Sequence, residues 1–211
     1  MTERFKIDQN EFLKSTTIGY YNRLYIGYSR PGNPDFLNTL KNTFNTEKAS
    51  SLNAAKDMVV NILLDDIPLI LKDNDLINCL CICVPRSKAQ NVLTKSQLMF
   101  KEAVKTAAVQ IPGITNGTDC IIRTINTMTT HLKRATIEGR ISIKNDGSEP
   151  YPGITKDTCI IDRDMIRNQN ALLIDDIYTK SINIDEDCIQ ALYDEGARKV
   201  IFYAIGFTRG N

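Results

Sequence analysis

Hydrophobic and polar positions fall in alternating blocks along the second half of this chain, and the blocks read in turn as strand, polar loop and helix. Residues 76–84 form a short apolar run suited to a strand buried on both faces, and the run stops at Pro85-Arg86-Ser87-Lys88. Thr94-Lys95-Ser96-Gln97 then offers a capping box. Leu98, Ala103, Val104, Ala107, Ala108 and Ile111 recur on one helical face until Pro112-Gly113 ends the pattern. Strand candidates follow at 120–123, 159–162 and 171–174, then a helix at 184–195 closed by Gly196, and a last strand at 200–207. Alternation of this kind predicts an α/β fold, with a mainly parallel sheet flanked by helices.

The first 75 residues carry a weaker pattern. Tyr20, Tyr21, Tyr25 and Tyr28 sit in a glycine-punctuated segment that breaks at the turn signal Arg30-Pro31-Gly32-Asn33-Pro34. Residues 53–71 read as a helix interrupted by Pro68, with Ala54, Ala55, Met58, Val59, Ile62 and Leu63 at helical spacing. The expected organisation is one compact domain, with 1–75 as a packing region and 76–211 as the α/β core. Residues 126–151 are polar, rich in Lys, Arg, Thr and Gly, and without period, which for a loop this long reads as a lid.

Charge and cysteine usage narrow the classes. The 26 Lys plus Arg and 25 Asp plus Glu leave a formal charge of +1, so nucleic acid is not indicated as a partner and any bound anion must be gripped locally. No apolar run approaches the ~18 residues of a membrane span, and the opening residues are too charged for a secretion signal, so the expected location is cytoplasmic, with no membrane partner. Cys79, Cys81 and Cys83 alternate, which places them on one face of a strand as reduced core residues. Cys120, Cys159 and Cys188 are scattered, so no zinc spacing arises. The lone His131 lies in a basic stretch and reads as solvated.

The most specific feature is Ala171-Leu172-Leu173-Ile174-Asp175-Asp176-Ile177-Tyr178-Thr179-Lys180-Ser181-Ile182-Asn183. Four apolar residues deliver two adjacent carboxylates to the carboxyl end of a parallel strand, where open α/β sheets bind ligands. The short polar residues that follow lead into a helix N-terminus, an arrangement that holds phosphate. Carboxylates beside a phosphate cradle imply a ligand with both hydroxyls and a phosphate, and a ribose 5-phosphate satisfies both. Against this, Asn183 with Glu186 is itself a capping box, and Asp185, Glu186 and Asp187 in the first helical turn would compete with a bound phosphate. A nucleotide hydrolase is excluded in its usual form, because none of the eleven glycines is followed by Lys.

Residues 174–183 resemble the phosphoribosyl pyrophosphate (PRPP) motif of type I phosphoribosyltransferases, and the chain is most similar to the ComF-like, amidophosphoribosyltransferase-related subgroup. Val84-Pro85-Arg86-Ser87 and Gly206-Phe207-Thr208-Arg209 match further segments of that group. The resemblance implies that Asp175 and Asp176 contact the ribose hydroxyls as the catalytic pair, and that Thr179, Lys180, Ser181, Ile182 and Asn183 wrap the 5-phosphate. It also implies a pyrophosphate loop at Arg86, Ser87 and Lys88, and a lid contributing Lys133, Arg134 or Arg140. Mg2+ would arrive bound with PRPP, without direct ligands from the protein, and the first 75 residues would form a small hood that selects the nitrogen acceptor.

The function implied is transfer of a ribose 5-phosphate unit to a nitrogen nucleophile with release of pyrophosphate. The alternative is a non-catalytic PRPP or nucleotide sensor, or a ComF-like accessory module in a larger bacterial assembly. Partners would then be a second copy of the chain or the products of neighbouring genes. Departures from the motif fall at Lys180, Ser181 and Asn183, where the family usually has Thr, Gly and Thr.

Overall fold

In the computed structural model, which describes residues 2–41, 46–128 and 154–209, a six-stranded sheet organises the chain. Its strands are β1 (Glu3–Ile7), β2 (Thr17–Leu24), β3 (Cys79–Cys83), β4 (Ile114–Asn116), β7 (Asn170–Tyr178) and β8 (Lys199–Phe207). They lie in the order β1-β2-β8-β7-β3-β4, antiparallel only between β1 and β2. Around them lie α1 (Phe36–Lys41), α2 (Ala49–Asp73), α3 (Lys95–Ala108), α4 (Ile154–Thr158), α5 (Arg163–Ile166) and α6 (Ile184–Asp194). The fold is therefore α/β, with a mostly parallel mixed sheet between helices.

The central strands follow from their sequences. Leu172, Ile174, Ile201 and Tyr203 face a core shared with α1, α2 and α3, whereas Ala171, Leu173, Val200 and Phe202 face a second core shared with α6. Strands buried on both faces need apolar residues at every position, which is why their alternation vanishes. Cys79, Cys81 and Cys83 share the first core, and Leu80 and Ile82 share the second. All six cysteines are free, and burial pushes the Cys79 and Cys83 thiols up to about 12. These thiols are core filler.

Three expectations are corrected. Pro68 does not interrupt its helix, because α2 runs unbroken from Ala49 to Asp73. Pro forfeits one backbone bond, but a buried stripe through Leu52, Ala55, Val59, Leu63, Ile67 and Ile70 holds both sides of it to the core. The strand candidates at 120–123 and 159–162 do not join the main sheet. They pair with each other as an antiparallel ribbon of β5 (Ile121–Arg123) and β6 (Cys159–Ile161), and the edge position beside β3 goes to β4. Runs of four residues specify extended backbone but not a partner. The third correction concerns the cap of α6 and is given with the site.

The first 75 residues contribute two strands as well as two helices. Tyr20 and Tyr21 of β2 bury their rings while their hydroxyls donate to Asp73 and Glu3. The turn at 30–34 is held by Asn33 Oδ1, which accepts from Ile26 N at 2.9 Å and Gly27 N at 3.0 Å, and it delivers α1 to the sheet's carboxyl end. At the opposite end, Gly113 has φ 81°, and a Cβ there would lie 2.2 Å from Ile77 O. We expect Gly113→Ala to destabilise the chain by more than ~1 kcal/mol, read as a lowered urea midpoint with unchanged slope.

Candidate active site

The chain order and the sheet order together create a crevice. From β3 the chain crosses through α3 to β4 in one direction, and from β7 it crosses through α6 to β8 in the other, so the two helices cover opposite faces. Adjacent β3 and β7 thus form a topological switch point. Their pairing ends at Cys83 opposite Ile174, one residue before Asp175. There the loop after β3 diverges, leaving a cleft of about 500 Å3 bordered by Pro85, Arg86, Asp175, Asp176, Thr179 and Thr208. A smaller hollow of about 40 Å3, which includes Lys88, adjoins it.

Because successive strand residues point to opposite faces, the two acids have different neighbours. Asp176 points toward α1, where Lys41 Nζ lies 2.8 Å from its Oδ1, and Arg86 Nη2 lies 3.7 Å from its Oδ2. Asp175 points toward α6, whose first-turn Asp185 borders the same cleft. Burial, followed by the charge of Asp176, pushes the Asp175 carboxyl up to about 7, and burial followed by Asp175 raises Asp185 well above the carboxylate range. A folded-state pKa above the unfolded value means that the native chain keeps a proton the unfolded chain has lost. The contribution of Asp175 to stability is complete below about pH 4 and gone by about pH 7. We therefore expect Asp175→Asn to raise Tm at pH 8 and to leave it unchanged at pH 4, as read by thermal melts of the free protein.

The residues expected to hold a phosphate are divided. Thr179 and Ile182 border the cleft, and Thr179 Oγ1 lies 2.6 Å from Thr208 Oγ1, which in turn donates to Tyr178 O at 2.8 Å. Lys180 and Ser181 are exposed and do not border it. Asn183 does not cap α6, which is the third correction. Its φ of 60° is left-handed, and its Oδ1 accepts from Asn10 Nδ2 at 3.3 Å. A side-chain cap needs extended backbone at that position, and Glu186 is diverted to accept the buried Tyr178 hydroxyl at 2.7 Å. The other acids of that turn also point inward. Asp187 accepts from Thr155 N at 2.8 Å and Thr155 Oγ1 at 2.7 Å.

The loop after β3 is braced rather than free. Arg86 Nε donates to Gln97 O at 2.9 Å and its Nη2 to Leu40 O at 3.0 Å, while Arg123 of β5 donates to Arg86 O and to Thr158 Oγ1. Ser87 borders the cleft, and its carbonyl accepts from Thr127 N at 2.7 Å, tying the start of the 126–151 stretch to this loop. Lys133, Arg134, Arg140 and His131, with the rest of that stretch, lie outside the described residues.

Sequence reasoning did not place Lys41, Arg123 or Asp185 in the site. Lys41 carries no local motif, and Asp185 was legible only as an acid at a helix start. No family model matches this chain, and no curated protein matches it in sequence.

Proposed function

We propose that the cleft binds PRPP and that the chain is a type I phosphoribosyltransferase-like protein, transferring ribose 5-phosphate to a nitrogen nucleophile with release of pyrophosphate. The observation that carries this reading is the adjacent Asp175 and Asp176, set at the carboxyl end of β7 in a cleft of about 500 Å3 at the switch point. Ribose hydroxyls donate to the two carboxyls. The turn at 179–183, closed by Ile182 N on Thr179 O at 3.0 Å, faces the 5-phosphate end with Thr208 beside it. The braced loop at 85–88 faces the diphosphate.

Chemistry at the anomeric carbon requires little covalent assistance. The residues hold both ends of the ligand, limit access of water to the developing ring cation, and oppose the charge of the departing pyrophosphate. Lys41, Arg86 and Arg123 bring positive charge to the cleft, and Lys88 and Lys101 bring it to the adjoining hollow. Among the described residues no three His, Cys, Asp or Glu side chains converge as a metal cage, and Lys41 and Arg86 already meet Asp176. Magnesium bound together with PRPP would add electrostatic stabilisation of the leaving group.

A second reading, a PRPP sensor without turnover, is favoured by two observations. The Arg86 guanidinium is engaged by two backbone carbonyls, and Lys180 and Ser181 stand outside the cleft. A pyrophosphate-release screen over nucleobases and simple amines, run on protein saturated with PRPP and Mg2+, separates the two. Release with any acceptor establishes the transferase, and binding without release with any of them establishes the sensor.

A further inference from the structure

We propose that Arg123, at the end of β5, and Thr127, just beyond it, are positioning residues that set the main chain of the 86–89 loop to receive a ligand's diphosphate. The inference rests on the reading of the cleft as a PRPP site. Its foundation is a set of hydrogen bonds to one short stretch of backbone. Arg123 Nε donates to Arg86 O, Thr127 donates to Ser87 O from its N at 2.7 Å and its Oγ1 at 3.0 Å, and Asn126 Oδ1 accepts from Ala89 N at 2.9 Å.

The β5–β6 ribbon stands apart from the main sheet, yet polar side chains are buried at its end, with Arg123 3% and Thr127 2% exposed. Burying such groups is costly unless their hydrogen bonds are made, and here those bonds go to the loop. Carbonyl oxygens are the negative ends of peptide dipoles and repel an anion. Arg123 and Thr127 engage two of them in succession, and the two bonds from Thr127 fill both lone pairs of Ser87 O. The Arg86 side chain does not serve here, because it reaches away to Leu40 O and Gln97 O. Arg123 is itself fixed by Thr158 Oγ1. Both of its described partners are neutral, so its charge still acts on the cleft and the hollow that it borders. On the PRPP reading the 5-phosphate end lies at the 179–183 turn, so a misplaced 86–89 loop weakens the hold on the diphosphate and spares the rest of the ligand.

The test is titration calorimetry in Mg2+ with either PRPP or ribose 5-phosphate on wild type, Arg123→Lys and Thr127→Val, with amide hydrogen exchange of residues 87–89 followed in the ligand-free proteins. Lys keeps the charge but cannot hold a carbonyl and a hydroxyl in one planar fork, and Val keeps the shape of Thr127 and its backbone N–H. Each variant is expected to bind PRPP about tenfold more weakly than wild type and ribose 5-phosphate within about twofold of it, and residues 87–89 exchange faster. Should Arg123→Lys fail to fold, Thr127→Val carries the test alone.

PRPP bound as tightly by the variants as by wild type would overturn the proposal. A parallel loss of PRPP and ribose 5-phosphate would overturn it as well, since general damage to the cleft does not distinguish the two ligands. Unchanged exchange at 87–89 counts against it whatever the ligand. If wild type binds neither ligand while exchange at 87–89 quickens in the variants, the PRPP assignment falls and the positioning of the loop by Arg123 and Thr127 stands.

Discussion

Replacing Asp175 and Asp176 together by Asn is expected to abolish PRPP binding, with affinity falling by more than about 100-fold while the chain stays folded. Each hydrogen bond to a charged group is worth ~1.5–3 kcal/mol, and two are lost at once. The effect on stability is mixed and therefore small. Asp175 is held against its own preference, with its carboxyl pushed up to about 7 by burial and by Asp176, so neutralising it relieves strain between like charges. Asp176 is the opposite case, because Lys41 at 2.8 Å and Arg86 at 3.7 Å lose their anion when it is replaced. Calorimetry with PRPP and Mg2+, alongside a thermal melt of the same sample, checks both parts. Unchanged affinity in the double variant would remove these acids from the site.

The largest stability effect lies away from the cleft. Asp66 of α2 is 2% exposed, and its Oδ2 accepts from Tyr203 OH at 2.7 Å and from Asn22 Nδ2 at 2.8 Å, linking the helix to β8 and β2. Asp66→Ala leaves the buried Tyr203 hydroxyl and the half-buried Asn22 amide without this acceptor. The expected cost is ~3–4 kcal/mol, a fall in Tm of roughly 10 °C for a chain of this size. Tyr203→Phe removes one donor and keeps the ring, so it is expected to cost less than half as much. Denaturant unfolding of both variants measures the difference. Equal losses would mean that the Tyr203–Asp66 bond carries the whole link and that the Asn22 amide adds nothing to it.

How much of this was legible in the sequence depends on how locally each feature is encoded. β3 and β7 were visible because strands buried on both faces are written as continuous apolar runs. The start of α3 was visible because its capping box is complete within four residues, with Thr94 accepting from Gln97 N and Gln97 Oε1 accepting from Thr94 N. β2 was hidden because its buried positions are Thr17, Gly19, Tyr20 and Tyr21, the tyrosines turning polar tips to Asp73 and Glu3, so the segment does not read as apolar.

The site divides in the same way. The adjacent acids at the end of an apolar run announce a ligand-binding strand end, but nothing near residue 41 announces a partner 135 positions away. Asn183 and Glu186 satisfied a capping pattern that the structure does not use, because the buried Tyr178 hydroxyl needed Glu186 more. Local patterns are reliable where no buried polar group competes for the same side chains.

The central claim is that the cleft between β3 and β7 is a PRPP site, and titration calorimetry of the unmodified protein with PRPP in the presence of Mg2+ tests it most directly. The account predicts saturable binding of one PRPP per chain, lost in the Asp175→Asn, Asp176→Asn protein. A folded wild-type chain that gives no saturable binding with PRPP at millimolar concentration would contradict it.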